Sequence, residues 1–485
     1  MRGAARIADV DVATGHFIDG TRVDSSRTFP VASPIDGTHL ADVSAGGAAE
    51  VDAAVAAARR AFPAWAKLGP TGRLPILQRF AALIRERVQT IAAVETADNG
   101  SLLMGNVARV IPRAAHNIAF FADWACTLGN DIIDSPEVTN HVRFDPAGVA
   151  ALITPWNAPF MLTTWKVGPA LAAGDTVVVK PPEWAPLTAS LLADLGAEAG
   201  LPPGVLNVVQ GIGEEAGAAL AAHSDIDRLS FTGSTDTAKL IGQATARSLT
   251  PISFELGGKS PFIVCADADL DVAAQTAAAQ YMNAGQVCLA GTRLLVEHTI
   301  ADAFQAKLRA AVAHMTVGDP RDKQTRVGPL IAPDHYARVE GFVTRALAAG
   351  ATPLWGGARH AAGGLYFEPT LLAGVTQESE IVQHEVFGPV LTWQTFLDDA
   401  ELIARANGTD YGLAAIIFSR DEARAMQLAS RLVAGTVWVN CFFVRDLAAP
   451  FGGSRRSGIG REGGTWSFDF YCDVKNVAVQ KGSFA

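Results

Sequence analysis

The sequence predicts an α/β protein whose parallel sheets are covered by helices, and three observations carry that reading. From Val149 to Arg247 short apolar runs alternate with helical segments. A sharp break follows at Gly257-Gly258-Lys259, and a second alternating series begins beyond it. Strands of the first series end in junctions built for turning, Pro155-Trp156-Asn157 and Phe231-Thr232-Gly233-Ser234. Strand–helix alternation at this pitch builds a parallel sheet with helices on both faces. Such sheets bind ligands beyond the carboxyl ends of their strands.

The elements follow in order. His16 to Thr21 reads as a hairpin with an Asp19-Gly20 turn. Ala48 to Lys67 is helical, with Val51, Val55, Ala58, Phe62 and Trp65 at helical spacing. Gly72 to Asp98 reads as a second long helical region, and Val107 to Leu128 as a third, broken near Pro112. Asp131 to Gly148 is polar and alternating, an exposed hairpin that needs a partner because a hairpin alone is marginal in water. The first alternating series places strands at 149–154, 176–180, 205–209 and 228–231, with helices at 165–173, 187–199, 214–222 and 235–247. Ile252–Leu256 leads into the glycine break, where a domain boundary is expected. The second series has strands at 261–264, 292–297, 414–418 and 436–440, with helices at about 271–281, 301–314, 335–349 and 421–434. The tail, Phe468 to Gln480, alternates weakly and suits pairing with the Asp131–Gly148 hairpin.

Composition sets the outer limits. The 485 residues, 49% hydrophobic and 18% charged, suffice for two or three domains with full cores. A net charge of −10 argues against nucleic acid as a partner. The five cysteines, at 126, 265, 288, 441 and 472, form no CxxC pair or Cys/His cluster. No metal site is expected, and the usage fits a reduced compartment. No signal-like segment or apolar run of membrane-spanning length is visible, so the cytoplasm is the expected location.

Six stretches carry candidate chemistry. Cys288 lies in a loop between Gly285 and Gly291, a setting for a nucleophile or for an inert buried thiol. Glu255 is a carboxylate inside an apolar run, suited to general-base work or to a buried pair with a lysine. Asn157, held between two prolines, can donate to an oxyanion or close an Asx-turn. Lys180 and Glu183 follow a strand and can hold a ribose or form a solvated pair. Gly211 to Gly217 is one residue too long for the dinucleotide fingerprint. Ser234 stands where a helix N-terminus can meet a phosphate or be capped by the hydroxyl.

Taken in order, these stretches resemble the NAD(P)-dependent aldehyde dehydrogenase superfamily. The resemblance covers nearly the whole chain. It rests on Thr154-Pro155-Trp156-Asn157, Lys180-Pro181-Pro182-Glu183, Phe231-Thr232-Gly233-Ser234, Phe254 to Pro261 and Gly285-Gln286-Val287-Cys288. Glu385-Val386-Phe387-Gly388-Pro389, Pro450-Phe451-Gly452-Gly453 and Ser457 to Glu462 continue it. It implies a Rossmann-type NAD-binding domain (1–127 and 148–257), a catalytic α/β domain (258–456) and an oligomerisation flap (128–147 and 468–485). It implies that Cys288 attacks the aldehyde and that Asn157, with the Cys288 N–H, holds the oxyanion. Glu255 activates the deacylating water, and Glu462 is a second carboxylate supporting proton transfer. Lys180 and Glu183 take the adenosine ribose, Ser234 the pyrophosphate and Glu385 the nicotinamide ribose, with Phe387 beside it. Thr154, Pro155, Trp156, Gly213, Phe231, Gly233 and Leu256 complete the implied cofactor cleft. A homodimer or homotetramer acting on a small aldehyde is implied as well.

Within the superfamily the chain looks most like semialdehyde dehydrogenases of aromatic ring cleavage, the carboxymethyl-hydroxymuconic, hydroxymuconic and aminomuconic enzymes. Ile111 to Asn117, Pro159-Phe160-Met161, Thr164-Trp165-Lys166 and Val444-Arg445-Asp446-Leu447 carry this, with Gly460 to Gly464 and Ser467-Phe468. Arg113, Arg445 and Trp165 are the implied substrate contacts. The chain departs from the pattern at Ala238, where a glycine is usual, and at Ala448-Ala449, where the subgroup usually has a second arginine. Two other classes compete: a non-catalytic binding protein of this fold, and a CoA-acylating dehydrogenase. The three candidates Cys288, Glu255 and Asn157 weigh against the first, and Glu255 against the second.

Overall fold

The computed structural model describes residues 3–129 and 131–482. Two large sheets lie on either side of Gly257-Gly258. The first has five parallel strands at its centre, in the spatial order Ile252–Leu256, Arg228–Gly233, Val149–Ile153, Thr176–Lys180 and Leu206–Val208. Chain order reverses about Val149–Ile153, which has the next strand on one side and a later one on the other. This is the switch point at which such sheets open a ligand crevice. Antiparallel strands close both edges: the His16–Ile18/Thr21–Val23 hairpin at one, Gly458–Ile459 at the other. The hairpin turns through Asp19 (φ 51) and Gly20 (φ 76), the left-handed pair that a two-residue turn requires.

The second sheet runs Thr352–Trp355, Thr370–Ala373, Val390–Phe396, Arg293–Glu297, Pro261–Val264, Ala414–Phe418, Thr436–Val439, with only the first strand antiparallel to its neighbour. Its central strands are buried on both faces, as continuous apolar runs such as Ala414 to Phe418 require. The strands at 352–355, 370–373 and 390–396 and the helix Asp399–Asn407 were not visible in the sequence pattern. The first two are four-residue segments, too short to establish a period.

The tail strand Cys472–Gln480 pairs antiparallel with Val138–Pro146 over nine residues, and Asp131–Asp134 completes a three-stranded sheet. The expected strand from Phe468 is corrected at its start: Gly464–Tyr471 is a helix. Phe468 and Tyr471 are buried against the helical layer of the first sheet, which fixes that segment at helical spacing.

Two helical readings gain detail. The helical region expected over 72–98 consists of two helices, Gly69–Glu86 and Val88–Asn99. The chain leaves helical geometry at Arg87 (φ −113, ψ 22), whose guanidinium makes two bonds to Glu198. The turn lets the second helix bury Ile91, Val94 and Glu95, which lie off the first helix's stripe. The break near Pro112 is a π turn, Asn106–Val110, and Pro112 itself sits in the first turn of Ile111–Thr127. A proline there gives up no helical hydrogen bond. The glycine run after Leu206–Val208 opens as a π turn, Gly213–Gly217, consistent with its odd spacing.

Candidate active site

The Cys288 loop is held rigid by its own sequence. The helix Leu270–Ala278 tightens into a 3₁₀ turn, and the backbone goes left-handed at Asn283, Ala284 and Gly285. A side chain at Gly285 would put its Cβ 2.1 Å from the Gly388 carbonyl oxygen, so only glycine fits. The buried Gln286 amide donates to Asn283 O (3.1 Å) and Pro329 O (3.4 Å) and accepts from the Ile331 N–H (2.9 Å). Three contacts of this kind hold a loop without a regular ladder.

Cys288 opens into a cavity of about 1500 Å³ that is also lined by every other site residue singled out in the sequence. Burial pushes its thiol up to about 12, and the charges of Glu385 and Glu255 add to the rise. Arg445 and the Leu289 N–H act in the opposite direction. Glu255 is the penultimate residue of the strand Ile252–Leu256 and is buried, with Oε1 meeting no protein donor. Burial, then the Glu462 charge, holds its carboxyl well above the carboxylate range against the pull of Lys166, Arg445 and Arg461.

The buried lysine pair considered for Glu255 belongs to Glu462. Lys166 Nζ donates to Glu462 Oε1 (3.0 Å) and to Ser230 Oγ (2.7 Å), and Trp165 Nε1 donates to Glu462 Oε2. Lys166 stood in the sequence only within the Thr164-Trp165-Lys166 resemblance, with no role, and Ser230 was not singled out; a lysine inside the apolar helix Pro159–Ala173 was the available signal. Trp165 walls the cavity while its N–H is committed to Glu462. Asn157 follows Val149–Ile153 and donates through Nδ2 to Gln286 O at 3.0 Å. Its amide reaches across to the nucleophile loop instead of closing a local turn.

On the other arm of the cavity Lys180 is buried and donates to Glu183 Oε2 at 2.7 Å. A Cβ at Gly213 would stand 3.9 Å from Glu183, so glycine leaves the approach to that carboxylate open. Thr154, Pro155, Phe231, Gly233 and Leu256 line the same cavity. Ser234 caps the helix Thr235–Thr245 by accepting from the Thr237 N–H at 3.1 Å, so the capping reading describes its hydroxyl. Glu385 accepts from the Gly258 N–H at 2.9 Å, and burial raises its carboxyl to about 7. Phe387 is left-handed (φ 60) and meets Trp156 edge-on at 5.2 Å. Its carbonyl is held by His335 Nε2 at 2.7 Å, and burial lowers that imidazole to about 4, leaving it neutral. His335 was another residue that the sequence did not single out.

At the opposite wall Arg445 is a cation laid over two rings, 3.6 Å from the Phe451 centroid and 4.8 Å from that of Trp165. Its chain neighbour Asp446 forms no ion pair with it among the described residues; Asp446 Oδ1 accepts from the Ala448 N–H. Arg113 donates to the Arg445 carbonyl (3.2 Å) and to its helix neighbour Asn117 (3.2 Å).

The aldehyde dehydrogenase family model matches residues 21–477. The chain belongs to the aldehyde dehydrogenase family. This dehydrogenase is 43% identical over 486 residues to the mitochondrial aldehyde dehydrogenase family 2 member B4 of Arabidopsis thaliana, covering 98% of this chain and 90% of that one. It is 42% identical over 480 residues to the 2-hydroxymuconic semialdehyde dehydrogenase of Pseudomonas sp. (strain CF600), covering 96% and 99%. Its fold matches a solved indole-3-acetaldehyde dehydrogenase of P. syringae in complex with NAD+ and IAA, at TM-score 0.95 and 39% identity over 97% of both chains. The dehydrogenase is an oxidoreductase acting on a small-molecule aldehyde, and these relatives bear different substrate names.

Proposed function

We propose that this enzyme oxidises a carboxylated, muconate-type semialdehyde to the corresponding acid. The observation that carries the reading is Arg445, a ring-stacked cation on the cavity wall with no carboxylate partner among the described residues. Guanidinium groups form bidentate, charge-assisted pairs with carboxylates, and a substrate carboxylate remote from the carbonyl supplies one. Oxidation rates for a carboxylated semialdehyde and a size-matched neutral aldehyde test it. A preference for the neutral substrate would overturn it.

NAD is the cofactor, and when bound it supplies the hydride acceptor. Glu183 and Glu385 suit ribose hydroxyls, and Lys180 is positioned by Glu183. Cys288 attacks the aldehyde carbon; the second hydrogen of the Asn157 amide and the Cys288 N–H hold the resulting oxyanion. Loss of hydride leaves a Cys288 thioester. Glu255, with its free Oε1 and raised affinity for protons, takes the proton from the water that hydrolyses the thioester. Glu462, fixed by Lys166 and Trp165, sets the field in which Glu255 titrates. No CoA is needed by this route.

NAD is expected to be preferred over NADP, because a carboxylate at Glu183 accepts from a ribose 2′-OH and repels a 2′-phosphate. Lys180 softens the repulsion. Comparison of kcat/KM with the two cofactors checks this, and equal or better values with NADP would contradict it.

The flap leaves Ile132, Ile133, Val474, Val477 and Val479 exposed. Ile132, Val477 and Val479 share one face of the small sheet and Ile133 and Val474 the other, and exposed apolar side chains of this kind favour a homodimer or homotetramer. No helix among the described residues is long and apolar enough to cross a membrane, and the cytoplasm is the proposed location. Size exclusion of a clarified lysate with light scattering addresses both. A monomer, or activity confined to the membrane pellet, would count against them.

A further inference from the structure

Asn283 lies five residues before Cys288 and is not used by the chemistry described above. It begins a run of three left-handed residues, Asn283 (φ 53), Ala284 (φ 53) and Gly285 (φ 68). Asparagine tolerates that conformation better than most side chains, which by itself accounts for its type. Its side chain does more than tolerate the turn. Asn283 Nδ2 donates to the main-chain carbonyl of Asn157 at 3.1 Å and reaches the Gln286 carbonyl at 3.4 Å. The same Gln286 carbonyl accepts from Asn157 Nδ2 at 3.0 Å.

The three bonds close a ring between the loop after Val149–Ile153 in the first sheet and the nucleophile loop beside the second. Asn157 is gripped at two points, its backbone by Asn283 and its side-chain amide by Gln286. A primary amide has two N–H donors. With one fixed on Gln286 O, the direction of the other is set relative to Cys288, two residues further along the same loop. Without the Asn283 bond, the backbone of Asn157 is free to shift and carry the amide with it. Preorganised donors are worth most when their aim needs no adjustment during the reaction.

We propose that Asn283 is a positioning residue for the oxyanion site, holding Asn157 in register with Cys288. The proposal rests on the reading of Asn157 as an oxyanion donor. Two variants separate its functions. Asn283→Gly keeps the left-handed backbone and removes the amide. Asn283→Asp keeps the shape but turns acceptors toward two carbonyls. The readout is the rate of the first-turnover NADH burst, with NAD affinity and thermal midpoint measured alongside. The expected result is a burst slowed roughly tenfold in Asn283→Gly and further in Asn283→Asp. NAD affinity should be unchanged and the midpoint moved by no more than a few degrees. Asn157→Ala should be slow, and the Asn157→Ala/Asn283→Gly double variant no slower, because the clamp then has nothing to aim. A normal burst in Asn283→Gly beside a slow Asn157→Ala overturns the Asn283 proposal alone. Losses that multiply in the double variant overturn it as well. A normal burst in Asn157→Ala overturns the oxyanion reading itself.

Discussion

Cys288→Ala is expected to abolish aldehyde oxidation while leaving NAD binding intact. The loss should be roughly 10⁴-fold or more, since no covalent route remains. NAD binding survives because Lys180, Glu183 and Glu385 are held by contacts that do not involve the thiol. Glu255→Gln should still form the thioester, giving a burst of NADH and then slow turnover. The displaced acidities make a further point. Cys288 and Glu255 both act in their deprotonated forms, and burial raises the proton affinity of each. Activity should therefore rise with pH across a window above the ordinary carboxylate range, and fall as acid protonates Glu255. Deacylation followed after the burst isolates Glu255, and in Glu255→Gln its rise with pH should vanish. Normal steady-state turnover in Cys288→Ala, or a deacylation rate flat with pH in the unaltered enzyme, would sink this assignment.

Arg445→Ala should cripple oxidation of a carboxylated semialdehyde and spare a neutral aldehyde. Removing a charged hydrogen bond to a substrate costs on the order of 2–4 kcal/mol, roughly 30- to 1000-fold in kcat/KM. The structure adds a smaller effect common to both substrates. Burial lowers the Arg445 guanidinium to about 10, and its charge pulls the Cys288 thiol and the Glu255 carboxyl downward. Its removal should therefore shift the pH profile of neutral-aldehyde oxidation upward. The ratio of the two kcat/KM losses is the diagnostic. Equal losses on both substrates would return Arg445 to a structural and electrostatic role and leave the substrate class open.

The neighbourhood of Arg445 shows where sequence patterns stop being informative. Its proximity to Asp446 in the chain invited a local pair, yet Asp446 turns back onto the Ala448 N–H. The guanidinium goes inward over Trp165 and Phe451, which come from distant parts of the chain. The same applies to Glu255. A lysine partner was a fair expectation for a buried carboxylate, but Lys166 is committed to Glu462 and Ser230. Which of two buried carboxylates receives the cation depends on how the helix Pro159–Ala173 packs on the strands, not on either local stretch.

The sequence by itself determined the alternation of strands and helices, the break at Gly257-Gly258 and the order of the loop motifs. Each of these follows from local chemistry: apolar period, turn residues and the readiness of paired glycines to break an element. It also marked Cys288, Asn157 and Glu255, because a thiol between glycines, an amide between prolines and a carboxylate in an apolar run are unusual where they stand. The tertiary structure alone decided that these residues line one cavity. It alone divided 69–99 into two helices and turned 464–471 into a third. It also left Glu255 Oε1 without a donor while giving Glu462 three, Trp165, Lys166 and Ser230. Those outcomes depend on burial and on partners far away in the chain, and a single stretch of residues carries no record of either.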